Sequence, residues 1–194
     1  MFVSIGFVMN REILKNSALM HPDRDSLGQR RVLEDGSLGD YDYIKFKDLY
    51  PIVVQLGRSL KKHFPWLQRQ GRAGFYGKNS QSIQLFSLAI QSQDLTSVPI
   101  YDSLGPNAVQ YIVSHSEMII LAVTEEKLPK LQEFLAKPSC IRGVVIVDSK
   151  RNSPVIEVFR KTIDSSIKVV LFEEVCCCIL LLLDTLCPFR RSCY

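Results

Sequence analysis

The chain has 194 residues, of which 46% are hydrophobic and 23% are charged, and its formal net charge at pH 7 is +4. These proportions are typical of a globular protein and exclude a disordered one. The net charge is mild and no dense block of lysine and arginine occurs, so we expect no nucleic-acid partner. The length suffices for one domain with a sizeable core, or for part of a larger domain.

Cysteine usage indicates a reducing compartment. Six cysteines occur, and five of them lie in the last nineteen residues, which is not the spread of a disulfide framework. The N-terminus has a brief apolar run without a preceding basic residue, so we predict no signal peptide. No run reaches the roughly 18 to 20 apolar residues that a spanning helix needs. A cytoplasmic location follows as the expectation.

The first 40 residues are weakly patterned and rich in polar turn residues. Within them, Asp35 and Gly36 beside an apolar pair predict a hairpin or a tight turn. The spacing of apolar residues from Leu49 onward predicts an amphipathic helix that ends near His63. Pro51 is expected in the first turn of that helix, where its missing N–H matters little.

Strand and helix patterns alternate regularly along the chain. The near-continuous apolar run at 144–147 is typical of a parallel strand covered on both faces. The alternation predicts an α/β fold with a doubly wound, mostly parallel sheet and right-handed crossovers. Predicted strands cover 43–46, 72–76, 98–101, 118–123, 144–147 and 168–172. Predicted helices cover 49–63, 83–90, 106–113, 128–135 and 155–163.

The stretch from Ser97 to Glu117 carries the clearest local signals. An extended run at 98–101 leads into a turn that contains Asp102 and Gly105, and Pro106 occupies a first helical position. This segment resembles the Val-Pro-aliphatic-Tyr-Asp-Thr/Ser-Leu-Gly sequence and following helix of the long-chain acyl-CoA synthetases, in the AMP-forming adenylate ligase superfamily. The matching residues are Val98, Pro99, Tyr101, Asp102, Leu104, Gly105, Ala108, Val109, Tyr111, Ile112, His115 and Glu117.

The resemblance implies a division of the chain into three parts. Residues 30–175 would form the front part of the large N-terminal domain of such a ligase. Residues 1–29 would be a weakly patterned segment, and residues 176–194 a divergent tail rich in cysteine and leucine. By resemblance, the full-length enzyme would use ATP and Mg²⁺ to convert a fatty acid to an acyl-adenylate, and would then transfer the acyl group to CoA.

Two departures from the family bear on activity. The family's Gly-x-Asn-x-Pro-Glu-Trp turn has a counterpart at Gly77, but residues 81–83 are Gln, Ser and Ile in place of Pro-Glu-Trp. The family's phosphate-binding loop, Thr-Ser-Gly-Thr-Thr-Gly-x-Pro-Lys-Gly, has no counterpart in the chain. No catalytic, cofactor-binding or metal residue is therefore carried over, and we expect the chain alone to be inactive.

Several constellations have simpler structural interpretations. Triad residue types occur at Ser114–Glu117, but neighbouring helix positions cannot converge on one atom, so a helix end is expected. The three consecutive cysteines from Cys176 lack the paired spacing of a zinc site. The glutamate pairs at 125–126 and 173–174 are interpreted as exposed charges at strand ends. The glycines at positions 71, 74 and 77 are interpreted as turn glycines.

Two alternatives to the ligase interpretation stay open at this point. The first is a non-catalytic α/β fragment that binds a protein or a membrane surface through the tail, such as that of the endoplasmic reticulum or another organelle. For the tail itself, a changed reading frame is the competing explanation. The second alternative is a ligase of the same superfamily that acts on shorter or aryl acids, which the Tyr101-Asp102 step disfavours.

Overall fold

The computed structural model describes residues 10–33, 35–101, 103–136, 139–149 and 153–180. They form a two-stranded antiparallel hairpin and a five-stranded sheet. The helices are α1 (Asn10–Met20), α2 (Phe46–His63), α3 (Gln81–Gln91), α4 (Pro106–Ser116), α5 (Leu128–Leu135), α6 (Pro154–Thr162) and α7 (Phe172–Leu180). The strands are β1 (Asp25–Val32), β2 (Leu38–Lys45), β3 (Arg72–Tyr76), β4 (Thr96–Ile100), β5 (Ile120–Thr124), β6 (Gly143–Val147) and β7 (Lys168–Leu171).

The five-stranded sheet has the order β4-β3-β5-β6-β7, and every neighbouring pair is parallel. All residues of β5 and β6 are buried, as expected for central strands that helices cover on both sides. The chain enters the sheet at β3, adds β4 on one side, and then adds the remaining strands on the other side. The predicted α/β fold with a parallel sheet is confirmed.

Side chains that alternate along the strands fill two separate cores. Val145 and Val147 belong to the core beneath α2, α3 and α7, whereas Val144 and Ile146 belong to the core beneath α4, α5 and α6. Successive strand residues point to opposite faces, so each central strand contributes to both cores. The sheet is therefore doubly wound.

Helix α2 begins earlier than the sequence pattern indicates. Strand β2 ends at Lys45 and the helix starts at the next residue, so Pro51 is the sixth helical residue. The prediction that Pro51 lies in the first turn is wrong, because the start of the helix is set by the exit from the hairpin. The buried face and the end at His63 agree with the prediction, and Pro65 follows shortly after.

The N-terminal region contains more structure than its weak pattern suggests. Helix α1 packs on α2 through Leu14, and β1 pairs with β2 in the predicted hairpin. Gly36 adopts a φ of 81° at the tip, where Leu33 and Ser37 are joined by a backbone hydrogen bond of 2.9 Å. Asp102, which the sequence places in a later turn, lies outside the described residues.

Helix α7 shows that regular structure continues beyond Val175. Phe172 is the first residue of α7 and not the last residue of β7, and the Glu174 carboxylate accepts a hydrogen bond from the Leu171 N–H at 2.9 Å. This capping contact starts the helix. Cys176 is buried at 4% exposure against the core. Helical structure therefore reaches Leu180, residues 181–194 lie outside the described part, and the division of the chain after Val175 stays a prediction.

Within the described ranges, no helix combines the length and the apolar character that crossing a membrane requires.

Candidate functional site

The candidate site lies where the order of strands reverses, between β3 and β5. In open parallel sheets, the carboxyl ends of strands at such a point diverge and leave a crevice that commonly binds ligands. A cavity of about 460 Å³ occupies this edge. Its lining consists of Lys78, Thr124, Glu125, Glu126, Pro129, Asp148 and Val155.

Gly77 brings the two central loops close together. A Cβ atom at this position would lie 2.5 Å from both Oγ1 and Cγ2 of Thr124, the last residue of β5. Its φ of 156° is also one that L residues rarely adopt. Only glycine therefore fits the present approach of the β3 loop to β5, which agrees with its interpretation as a turn glycine.

The charged groups of the cavity bind one another across the loops. The Lys78 ammonium lies 3.3 Å from an Oε atom of Glu126, and both side chains are exposed, so this pair contributes little to stability. The Ser82 hydroxyl donates a hydrogen bond of 2.6 Å to the carboxylate of Asp148, which follows β6. Asp148 itself adopts a left-handed φ of 52°.

The remaining carboxylate of the site holds the start of helix α6. Ser153 donates a short hydrogen bond to the carboxylate of Glu125. The same serine caps α6, because its Oγ accepts a hydrogen bond from the Val155 N–H at 3.3 Å. The sequence interpretation of Glu125 and Glu126 as exposed strand-end charges is thus incomplete, since each binds a specific partner.

The described residues of this cavity do not fit the phosphates of ATP. A helix N-terminus can bind phosphate through free N–H groups. The start of α3 does not line this cavity, and there Gln81 N donates to Gln29 Oε1 and Ile83 N donates to Ser80 Oγ, both at 3.2 Å. Three carboxylates also line the cavity against the single cation of Lys78. Within the described ranges, no cluster of His, Cys, Asp and Glu is arranged to hold a metal ion.

The triad residue types at Ser114–Glu117 serve the end of helix α4. The His115 ring stacks on Tyr111 with 5.1 Å between the ring centroids. Glu117 caps the helix in a left-handed conformation, and its carboxylate lies 2.8 Å from Arg72 Nη1. The prediction of a helix end is confirmed. Glu174 likewise acts as the cap of α7 and not merely as an exposed charge.

Sequence reasoning gave no site role to Lys78, Ser82 or Asp148, although it noted position 82 as part of a departure from the family's turn. One signal could have found two of them. Asp148 directly follows a predicted parallel strand, and Lys78 follows the glycine that ends another. Side chains in that position meet at one edge of the sheet. The contact of Ser82 with Asp148 joins residues 66 positions apart, and no local pattern indicates it. The prediction that no catalytic or cofactor-binding residue can be assigned stays a prediction.

Comparison with known sequences identifies relatives of the chain. A profile of the family described as AMP-binding enzyme matches residues 14–170. Long chain acyl-CoA synthetase 4 of Arabidopsis thaliana is 34% identical over 120 residues, which is 62% of this chain and 18% of that protein. Long chain acyl-CoA synthetase 1 of the same plant is 33% identical over 129 residues, which is 66% of this chain and 18% of that protein. The chain spans less than a fifth of the length of these relatives.

Solved structures share the fold at lower sequence identity. The A-PCP didomain of carboxylic acid reductase from Segniliparus rugosus, in complex with AMP, gives a TM-score of 0.75 at 17% identity and covers 89% of this chain and 26% of that one. Coronafacic acid ligase from Pectobacterium brasiliense gives a TM-score of 0.63 at 13% identity, and the alignment covers 87% of this chain and 29% of the ligase. Together with the strand order and the profile match over most of its length, this shared fold shows that the chain belongs to the AMP-binding enzyme family.

Proposed function

We propose that the chain is part of a long-chain fatty acid–CoA ligase. The observation that carries this proposal is the 34% identity to a long chain acyl-CoA synthetase over 120 residues. A complete enzyme of this kind would bind a fatty acid, ATP, Mg²⁺ and CoA. It would form an acyl-adenylate first and would then transfer the acyl group to the CoA thiol.

In this proposal, the described residues act as scaffold for a reaction centre formed elsewhere in the complete domain. The cavity at the β3–β5 edge does not fit phosphate, because three carboxylates line it beside the ammonium of Lys78. The family's phosphate-binding loop also has no counterpart in the sequence. We therefore expect neither adenylation nor thioester formation by the 194-residue chain alone.

A graft tests whether the chain functions within a long-chain ligase. In the first host, the 120 matched residues of Arabidopsis synthetase 4 would be replaced by their counterparts from this chain. In the second host, coronafacic acid ligase, the structurally equivalent segment would be replaced by the same residues of this chain. A graft of the corresponding segment of synthetase 1 serves as the positive control. Acid-dependent ATP–pyrophosphate exchange would be measured with palmitate and with the second host's own acid, after thermal unfolding has shown that each graft is folded.

The proposal expects the graft to restore palmitate-dependent exchange in the long-chain host to within about tenfold of the control graft. In the second host we expect exchange to be lost. Equal exchange in both hosts would contradict the long-chain assignment and favour a more general acid ligase. A folded graft that is inactive in the long-chain host, beside an active control graft, would contradict the ligase proposal itself.

The cytoplasmic location is part of the proposal, whereas peripheral membrane contact belongs to the membrane-binding alternative, and one experiment distinguishes them. The membrane alternative depends on residues 176–194, most of which lie outside the described part of the chain. Fractionation of cells that express the chain with and without these residues distinguishes the two. The ligase proposal expects both proteins in the cytosolic fraction. Movement of the longer protein alone into the membrane pellet would favour the membrane-binding alternative.

A further inference from the structure

The cavity at the β3–β5 edge adjoins a second one. A cavity of about 330 Å³ lies between α5 and α6, and it shares Pro129 and Val155 with the larger cavity of about 460 Å³. Both volumes are within the range of roughly 300–1,000 Å³ that small-molecule sites occupy. Because two wall residues are common to both cavities, one small molecule can extend from the first into the second.

The larger cavity, here called the acidic cavity, is lined by more negative than positive charge. The carboxylates of Glu125, Glu126 and Asp148 line it, and among the described lining residues Lys78 provides the only cation. That ammonium lies 3.3 Å from Glu126. Asp148 instead accepts a hydrogen bond from the Ser82 hydroxyl, which carries no charge. A cleft with this excess of one sign attracts a ligand of the opposite charge, in this case a cation.

A buried hydroxyl in the wall of the acidic cavity lacks a partner. Thr124 lines the cavity and is 7% exposed, and its Oγ1 makes no hydrogen bond to any of the described residues. The nearby hydroxyls of Ser82 and Ser153 each donate to a carboxylate. Because buried polar atoms are nearly always paired, Thr124 marks a position at which a bound polar group is favoured. Its oxygen can accept a hydrogen bond from an ammonium.

The smaller cavity, here called the apolar groove, has a different character. Its wall includes Leu128, Val155, Val158 and Phe159, and none of its described lining residues carries a charge. Leu128 and Phe159 are buried, whereas Val158 is 56% exposed. A short aliphatic chain in this groove would cover apolar surface that is now open to solvent, which is favourable. The groove therefore suits a hydrocarbon chain and not a second charged group.

We propose that the two cavities together bind an aliphatic primary amine. Its ammonium would lie in the acidic cavity near Glu126, Asp148 and the Thr124 hydroxyl, and its alkyl chain would extend past Val155 into the apolar groove. An ammonium has three donors and no acceptor, which matches carboxylates and a hydroxyl oxygen. A fatty acid would instead bring a fourth carboxylate to the other three. The inference goes beyond the proposed function and does not depend on it.

Ligands that share an alkyl chain test whether the charge is required. n-Octylamine, n-octanol and octanoate would each be titrated at pH 7 into the full 194-residue chain, and amide NMR shifts would report binding. n-Butylamine keeps the charge and shortens the chain. We expect octylamine to bind one molecule per chain and to shift the amides of Thr124 and Val155. We expect the other three to bind at least about tenfold more weakly. Equal affinity for octanol or octanoate would overturn the proposal.

Substitutions in the acidic cavity provide a second test. Asp148→Asn removes one charge, and asparagine tolerates the left-handed φ of 52° and can still accept the Ser82 hydrogen bond. Glu133→Gln is the matched control, because Glu133 lies on α5 but lines neither cavity. We expect at least about threefold weaker octylamine binding in Asp148→Asn, and no change in the control. Lys78→Met removes the competing ammonium and is expected to strengthen binding.

A third pair of variants tests the apolar groove. Val158→Ser replaces an exposed apolar wall residue, and Val32→Ser is the matched control on β1, where the valine is 64% exposed. We expect Val158→Ser to weaken octylamine binding at least about threefold and Val32→Ser to leave it unchanged. Thermal unfolding confirms that each variant is folded. Equal effects of the two substitutions would contradict the placement of the alkyl chain.

The chain's own cations are the competing occupant of the acidic cavity. Lys150 and Arg151 follow Asp148 closely in sequence and lie outside the described residues. Octylamine binding that appears only in the double variant Lys150→Gln, Arg151→Gln would assign the cavity to these residues and would overturn the proposal. Absence of binding to the wild-type chain, or equal weakening by Asp148→Asn and Glu133→Gln, would also overturn it. None of these outcomes depends on ligase activity.

Discussion

Gly77, directly after β3, allows this loop to lie against Thr124 at the end of β5. Its absent side chain leaves room for Thr124, which is 7% exposed and whose Oγ1 and Cγ2 lie 2.5 Å from where a Cβ would be. We expect Gly77→Ala to lower the free energy of unfolding by about 1–3 kcal/mol, because overpacking and backbone strain act together. Urea unfolding monitored by circular dichroism measures this change.

A double-mutant cycle tests whether the cost of Gly77→Ala arises from contact with Thr124. Thr124→Ala removes both atoms that a new Cβ would meet, so Gly77→Ala is expected to cost less than half as much in that background. An equal cost in both backgrounds would show that the two residues are not in contact in the way described.

The ion pair of Asp23 with Lys47 gives a pH-dependent prediction. The hydrogen bond donated by the Lys47 ammonium at 2.7 Å, followed by its charge, lowers the pKa of the Asp23 carboxyl from its ordinary value of 3.8. Because the carboxyl pKa is lower in the folded state, the pair stabilises the fold at pH values above the pKa of the unfolded state. This contribution is lost as the pH falls through the pKa of the folded state. Both side chains are well exposed, so the stabilisation is small.

Lys47→Met removes the ammonium while it keeps most of the aliphatic chain. We expect the pKa of Asp23 to rise toward its ordinary value in this variant, as measured by NMR titration of the carboxyl carbon. Asp164 is the internal control, because its pKa is lowered by the backbone N–H of Ser166 and should not change. Identical titration of Asp23 in both proteins would contradict the assigned cause.

At the scale of elements, helix α7 depends on a contact between distant parts of the chain. The Ser59 hydroxyl of α2 is 5% exposed and donates a hydrogen bond of 2.6 Å to the carbonyl of Val175. Ser59→Ala would leave that buried carbonyl without this donor, and we expect a loss of about 1–3 kcal/mol in the free energy of unfolding. The measurement is again a urea titration.

Ser17→Ala is the matched control for this prediction. Its hydroxyl also bonds a backbone carbonyl, that of Ile13 at 2.9 Å, but the contact is exposed to solvent. The expected change is within about 0.5 kcal/mol. If the two substitutions have the same effect, the packing of α7 on α2 would not depend on the Ser59 hydrogen bond.

The elements that the sequence predicts are those whose burial produces a pattern. The apolar run at 144–147 matches β6 within one residue, and the face that begins at Leu49 is the buried face of α2. Strand β1 is mostly exposed, so it has little alternation to detect. Helix α7 follows a strand without a break, and its capping by Glu174 and its packing on α2 become visible only in three dimensions.

At the scale of the whole molecule, the sequence indicates the sheet and its family but not the candidate site. Alternation of strands and helices suffices to predict a doubly wound parallel sheet. The cavity depends on contacts between loops that are far apart in sequence, such as Ser82 with Asp148 and Glu125 with Ser153. Local patterns contain no information about such pairs, whereas the rule for carboxyl ends of parallel strands does indicate the edge at which they occur.

The central claim is that these residues form scaffold within an AMP-binding domain and do not themselves contain the reaction centre. The most direct measurement is palmitate-dependent ATP–pyrophosphate exchange by the purified 194-residue chain, with Arabidopsis synthetase 4 as the positive control. The account predicts no exchange above a sample without protein. Exchange that rises with the concentration of the chain and requires palmitate would contradict it, because the chain would then itself contain a reaction centre.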